Sequence, residues 1–404
     1  MWKKKFMAAV LGLCLSLPMP VFASVQKDGV HITILHTNDI HARVQSTDDE
    51  GKTIGMDWLA GAIWAQKGAD EDTLALDAGD TFHGLTLINL SRGSNMAMLM
   101  NLSGIDAMTP GNHDFNFGSQ RLIELARILN FPVLSANLMD KDKTQYIFRP
   151  YKSYDFNGVK VAVIGLSTPE IAYKTNPFNV KDVAFTDPIA AAQELMPKLR
   201  ASHDVVIGLM HMGLDKSSVV TTEQLVKAVP GFDVIIDGHS HTTLPKGMKV
   251  GNTLICQTGR YGHALGKVEL VVKDHKLRKA QASLLNRQGV EKLAKTPDEG
   301  VAQALQEINM QVKMETETVV AESPRELVRT QESELGNLTA DALRQATGAD
   351  VAVVNDFTAF GGDGYEMLKG AQLKGDFGSL EDIFVEYLQK NGLQGIEVGR
   401  ITMK

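Results

Sequence analysis

The chain has 404 residues, 44% hydrophobic and 22% charged, with a net charge of −7. That is a globular composition, long enough for two domains with their own cores. No Lys/Arg run marks the body of the chain and only 6% of residues are aromatic, which excludes a nucleic-acid binder built on a basic footprint or a stacking platform.

At the N-terminus Lys3, Lys4 and Lys5 precede an apolar run from Phe6 to Leu17, too short to cross a bilayer comfortably. Val21-Phe22-Ala23 places small residues before a cut, so residues 1–23 are predicted to be a signal peptide cleaved after Ala23. The expected location is outside the cytoplasm, in a bacterial periplasm, with no membrane span elsewhere. Cys14 would leave with the signal, and Cys256 alone admits no intramolecular disulfide.

Beyond the signal, short β-branched runs end abruptly in Gly-containing polar turns, with helical stretches between. "HITILHTNDIHARV" runs into Asp39 and His41, "DTLALDAGDTFHG" into Gly79-Asp80, and "GIDAMTPGNHDFNFG" into Gly111-Asn112-His113-Asp114. "HDVVIGLMHMG" stops at His211, and "GFDVIIDGHSHT" at His239 and His241. This reads as an α/β fold whose site gathers at the carboxyl ends of strands. Singly, each residue has an ordinary explanation: Asp39 or Asp80 as a helix N-cap, His211 as a core histidine. Together, Asp39, His41, Asp80, Asn112, His211, His239 and His241 form a thiolate-free N/O set suited to Zn, Mn, Fe, Co or a similar divalent ion. Seven ligands exceed one tetrahedral shell and suit two ions sharing a carboxylate, with Asp80 the natural bridge.

The ordered set D-x-H, G-D, G-N-H-[DE], H, G-H-x-H is similar to that of the metallophosphoesterases. The strings "ILHTNDIHARV", "GDTFHG", "GNHDFNFG" and "DGHSHT" resemble the secreted 5′-nucleotidase branch. The resemblance implies a four-layer αββα sandwich. It also implies one ion on Asp39, His41, Asp80 and His241, and a second on Asp80, Asn112, His211 and His239. It makes His113 a catalytic group beside the phosphate, assisting attack by a metal-bound hydroxide. Many relatives orient that imidazole with an acid three positions later. Here Asn116 stands in its place, able to accept one hydrogen bond but carrying no charge. Asp114 is expected to cap the following helix. His36 is expected in the core or behind the ligands and His263 on a strand, while His83 is a weaker candidate, within reach of the groups behind Asp80. Asn101 and Asn337 match a glycosylation pattern but sit in helix-like context.

The catalytic domain is assigned to residues 24–290. "TPDEGVAQALQEINMQVKMETET" begins with a helix start signal and is read as a linker helix over 291–320. Residues 321–404 resemble two fragments of the 5′-nucleotidase C-terminal domain, a smaller and incomplete α+β unit. By that likeness Arg325 and Arg329 contact the phosphate, Phe357 stacks on the base and Asp363 bonds the ribose. Asn355 runs straight into Asp356-Phe357, where the family has a Gly-Gly-Gly-Ile-Arg turn and a second stacking Phe, so an internal deletion is inferred. The expected activity is hydrolysis of phosphoric monoesters, nucleoside 5′-monophosphates first, with a small-molecule phosphate ester or nucleotide as the partner. The alternatives are another ester (a cyclic nucleotide phosphodiester or a sulfur-oxoanion conjugate) and a binding protein without turnover.

Overall fold

The computed structural model describes residues 29–323, 334–348 and 380–393. The expected signal peptide and the positions Arg325, Arg329, Phe357 and Asp363 lie outside the described residues.

The strands, in chain order, are β1 (Val30–Thr37), β2 (Thr73–Asp77), β3 (Ala107–Met108), β4 (Leu138–Asp140), β5 (Tyr151–Phe156), β6 (Val159–Ser167), β7 (Val183–Phe185), β8 (Val205–His211), β9 (Val234–Ile236), β10 (Met248–Val250), β11 (Thr253–Cys256), β12 (Leu265–Lys273) and β13 (Lys276–Leu285). One sheet has the order β13-β12-β1-β2-β3 and the other β10-β11-β9-β8-β6-β5, while β4 and β7 pair separately. Inner strands are buried on both faces, so they read as continuous apolar runs. Alternation still sorts their side chains. Ile32 and Ile34 of β1 meet Val205, Ile207 and Leu209 of β8 in the core between the sheets. Leu35 turns outward to the helix Met56–Ala69, and Val206 and Met210 turn outward to the helices Pro188–Ser202 and Thr222–Ala228. Each isoleucine or leucine so enclosed contributes about 1.5–3 kcal/mol of burial free energy. The result is the four-layer αββα sandwich.

In the first sheet β1, β2 and β3 run parallel, and in the second β6, β8, β9 and β11 do. The turns after β1, β2, β3, β8 and β9 therefore share one edge of the sandwich. The helix Glu299–Thr316 begins as its sequence predicts, with Asp298 accepting from Val301 N. It packs along the first sheet's outer core. Val301, Ala304, Leu305 and Ile308, spaced i, i+3, i+4 and i+7, join the core that covers the first sheet. The same core holds Val290. Further on, the helices Glu334–Thr347 and Leu380–Asn391 pack on each other, and Asn391 Nδ2 donates to Gln345 Oε1 at 2.9 Å. Asn101 and Asn337 both stand on helices. Among the described residues no helix is long and apolar enough to cross a membrane.

Candidate metal centre

The strand exits are nested by their backbones. Asp39 N donates to Gly79 O and His41 N to Asp80 O, both at 2.9 Å, which lays the turn after β1 along the turn after β2. Nesting this tight requires Gly111, where a Cβ would fall 2.2 Å from Asp80 Oδ1 and 2.6 Å from His211 Cε1. Asp39, His41, Asp80, His239 and His241 all have positive φ, between 48° and 75°. Side chains there are uncommon and strained by order 1–3 kcal/mol each, a cost tolerated where it aims a functional group.

The turns bring the seven predicted side chains together. His41 Nε2 and His241 Nε2 are 3.0 Å apart, and Asp39 Oδ1 lies 3.8 Å and 3.4 Å from them. His239 Nδ1 lies 2.9 Å from Asn112 Oδ1. Between the two groups sits one carboxylate. Asp80 Oδ1 accepts from His113 N at 2.7 Å, while Oδ2 faces His211 Nε2 at 3.2 Å and His41 Nε2 at 3.8 Å. Two ligands each roughly 2.0–2.1 Å from one tetrahedral ion are about 3.4 Å apart, so these spacings fit shared cations. Asp39, His41 and His241 form one candidate ion-holding group; Asp80, His211 and His239 form another; His113 approaches His41 and Asp80 in a third.

His211 supplies the clearest test of fit. It is fully buried, its Nδ1 donates to Ala78 O at 2.6 Å, and its Nε2 makes no hydrogen bond. The Nδ1 bond leaves Nε2 as the ring atom that faces Asp80, the arrangement of an imidazole that would ligate a cation once the cation displaced its proton. Burial opposes charge at His211, but the Asp80 carboxylate outweighs it and lifts the imidazole to about 10. Burial would likewise raise Asp80, yet the surrounding imidazoles, His211 first, hold it well below the usual carboxylate range. At His41 burial prevails over Asp80 and Asp39 and lowers its pKa to about 4.

Buried groups behind the ligands set their geometry. Asp114 does not cap the following helix, whose N-cap is Gly118. Its carboxylate accepts instead from the backbone N–H groups of Asp80, Thr81, Phe82 and Gly111, at 2.8–2.9 Å, stapling two ligand turns. Asp237 accepts from Met212 N, Gly213 N, Thr222 Oγ1 and Gln257 Nε2, which staples the turns after β8 and β9. Two groups had no motif to announce them. Asn38 Nδ2 donates to Asp39 Oδ2 at 2.7 Å. Glu170 Oε2 lies 3.1 Å from His239 Nε2, and its other oxygen accepts from Tyr173 Oη and Val219 N. Burial would raise Glu170, but these partners, His239 first, bring it down to about 2.

Asn116 departs from the expectation that it accepts from His113. Its Oδ1 accepts from Thr175 Oγ1 at 2.9 Å, so Nδ2 faces His113 Nδ1 at 3.1 Å and His83 Nδ1 at 3.0 Å. His83 thus hydrogen-bonds to Asn116 and also feels the Asp80 charge. His36 is buried in β1. His263 lies in the turn before β12, not on a strand, with Nε2 2.7 Å from Asp49 Oδ2.

A four-layer sandwich carrying an Asp/His/Asn cluster at its carboxyl edge defines the metallophosphoesterase class. The family model for calcineurin-like phosphoesterases matches residues 32–243, more than half of the chain, and the chain belongs to that family. It is 34% identical to bovine (Bos taurus) 5′-nucleotidase over 230 residues, 54% of this chain and 39% of that protein. It is 29% identical to the trifunctional nucleotide phosphoesterase YfkN of Bacillus subtilis over 382 residues, 81% of this chain and 25% of that one. The chain thus spans well under half the length of these relatives. A crystal structure of a 5′-nucleotidase precursor from Thermus thermophilus shares the fold, with TM-score 0.67 and 22% identity over 89% of this chain and 96% of that one.

Proposed function

We propose that the chain is an exported, two-metal hydrolase of phosphoric monoesters, acting first on nucleoside 5′-monophosphates or related nucleotides. The observation that carries this reading is Asp80 Oδ2, one oxygen placed between the His41 and His211 ring nitrogens. Asp39, His41, His241 and Asp80 would hold one divalent ion, and Asp80, Asn112, His211 and His239 the other, with Zn, Mn, Fe and Co all compatible with the donors. Such ions, when bound, supply charge neutralisation and an activated water for phosphoryl transfer.

The chain's own residues do the rest. Asp80 is held for its bridging position by the His113 N–H and by the Asp114 staple. Asn116 donates to His113 Nδ1, so the neutral ring carries its proton on Nε2 and offers an N–H to a phosphoryl or leaving-group oxygen. Glu170 and Ala78 O orient His239 and His211. The names of the relatives support nucleotides as substrates, and the leader-like first 23 residues support export. Residues 321–404 would act as a shortened substrate domain, with Arg325, Arg329, Phe357 and Asp363 contacting nucleotide.

The test is a panel of AMP, p-nitrophenyl phosphate, bis-p-nitrophenyl phosphate and a thiosulfate ester on Zn- or Mn-loaded protein. Metal-dependent turnover of the monoesters is the expected result. Turnover confined to the diester or the sulfur ester would move the reading to another ester. Metal binding without any turnover would leave a binding protein.

A further inference from the structure

His83 stands three residues beyond Asp80, in the turn after β2, and is half-buried. A histidine in such a turn is ordinarily a solvated group. This one turns inward. Its Nδ1 lies 3.0 Å from Asn116 Nδ2, while His113 Nδ1 lies 3.1 Å from the same nitrogen. The His83 and His113 rings are almost parallel, 9° apart with centroids separated by 6.0 Å, and the Phe117 ring tilts against His83 at 5.3 Å.

The amide between the two rings is held from every side. Asn116 Oδ1 accepts from Thr175 Oγ1 at 2.9 Å, and its backbone carbonyl accepts from Asn179 Nδ2 at 2.8 Å. An amide nitrogen carries two hydrogens, one for each imidazole. Burial first, then the nearby His113 and Arg43, lower His83 to about 4 against the opposing pull of Asp80. At neutral pH the ring therefore has one bare nitrogen and one N–H. A bare Nδ1 is the partner that the Asn116 N–H requires, which puts the proton of His83 on Nε2, as in His113. The turns that carry the two rings are fixed against each other, because Asp114 accepts from both Phe82 N and Gly111 N.

We propose that His83 is a positioning residue for His113: the two rings share the two N–H groups of Asn116, and this sharing holds the His113 proton on Nε2, where it meets a substrate oxygen. Rotating the amide by half a turn would bring Oδ1 to both rings, so both imidazoles would have to move their protons from Nε2 to Nδ1 together. Without His83 only one ring would have to change, and one amide N–H would lack its acceptor. His113 would then divide between two tautomers, one of which offers a lone pair where the ester requires an N–H. A carboxylate at position 116 could only accept and would need no such help. An amide presents either side, and the second imidazole selects one. The consequence for turnover rests on the hydrolase reading; the shared amide does not.

His83→Phe keeps a ring and removes the acceptor, whereas His83→Asn removes the ring and keeps an acceptor at the δ position. With AMP and zinc-loaded protein, rates being taken per bound metal, His83→Phe is expected to lower kcat about five- to ten-fold with little change in KM. His83→Asn is expected to recover most of that loss. A role in packing alone would reverse the order. Equal effects in the two variants, a larger loss in His83→Asn, or an effect confined to KM would overturn the proposal. Two-bond proton–nitrogen correlation spectra of histidine-labelled protein read the tautomers without turnover. His113 is expected to be protonated at Nε2 alone in wild type and His83→Asn, and to exchange between both nitrogens in His83→Phe. That change supports the shared amide even if no form cleaves an ester, in which case only the hydrolase reading fails. An identical His113 pattern in wild type and His83→Phe overturns it.

Discussion

Asp80 and His113 lie a hydrogen bond apart, yet removing each should do different things. Asp80→Ala takes away the oxygen placed between both ligand groups, so metal content measured by mass spectrometry should fall at both positions. His113→Ala removes no ligand of the proposed pair, so the metal should stay while kcat falls by about 10²–10⁴. Full metal occupancy in Asp80→Ala would reject the bridge. Glu170→Gln should act through His239, loosening metal about 10–100-fold in competition with a chelator; an unchanged affinity would leave Glu170 without that role. The ligands were legible because each follows a strand exit with a glycine or a second ligand beside it. Glu170 was not, although "STPE" leaves β6 as the other ligand turns leave their strands. Nor could the sequence show which way Asn116 faces, since Thr175, 59 residues later, claims its oxygen.

At the scale of strands, the β-branched runs and their Gly-rich exits were readable, because burial on both faces writes an apolar run and the turn punctuates it. Pairing partners were not. β1 lies between β2 and β12, and β12 comes more than 200 residues later. That pairing places His36 opposite Gly266, where a Cβ would lie 2.0 Å from His36 Nε2. Burial alone lowers His36 to about 3 from an ordinary 6.5. A depressed histidine keeps its full contribution above about pH 6.5 and loses it as pH falls toward 3, because only the unfolded chain takes up the proton there. The loss amounts to about 1.4 kcal/mol per pH unit in that window. Urea unfolding of wild type and His36→Gln at pH 7 and pH 5 should show the variant losing less stability between the two. Parallel losses would remove His36 as a source of acid sensitivity.

At the scale of the molecule, the helix Glu299–Thr316 packs on the core that covers the first sheet through Val301, Ala304, Leu305 and Ile308. Ending the chain at residue 290 would strip Val301, Leu305 and Ile308 from the core, costing roughly 5 kcal/mol or more. Limited proteolysis should therefore cut after residue 316, leaving a fragment that still turns over p-nitrophenyl phosphate. Cutting near residue 290 with activity retained would contradict this. The sequence marked this helix but not its role, because an amphipathic stripe looks the same whether it faces a neighbour or spans a gap. The staples at Asp114 and Asp237 also have a consequence for how the protein meets its ions. Each carboxylate draws on four hydrogen bonds from within the chain, so the ligand turns are tied down by the polypeptide and need no ion to hold them. A site preformed in this way loads after folding is finished and can trade one ion for another in the native state. Such a protein should come through chelation with its circular dichroism unchanged and regain activity within the time of mixing, so that the same polypeptide could serve in zinc-poor and manganese-poor surroundings alike.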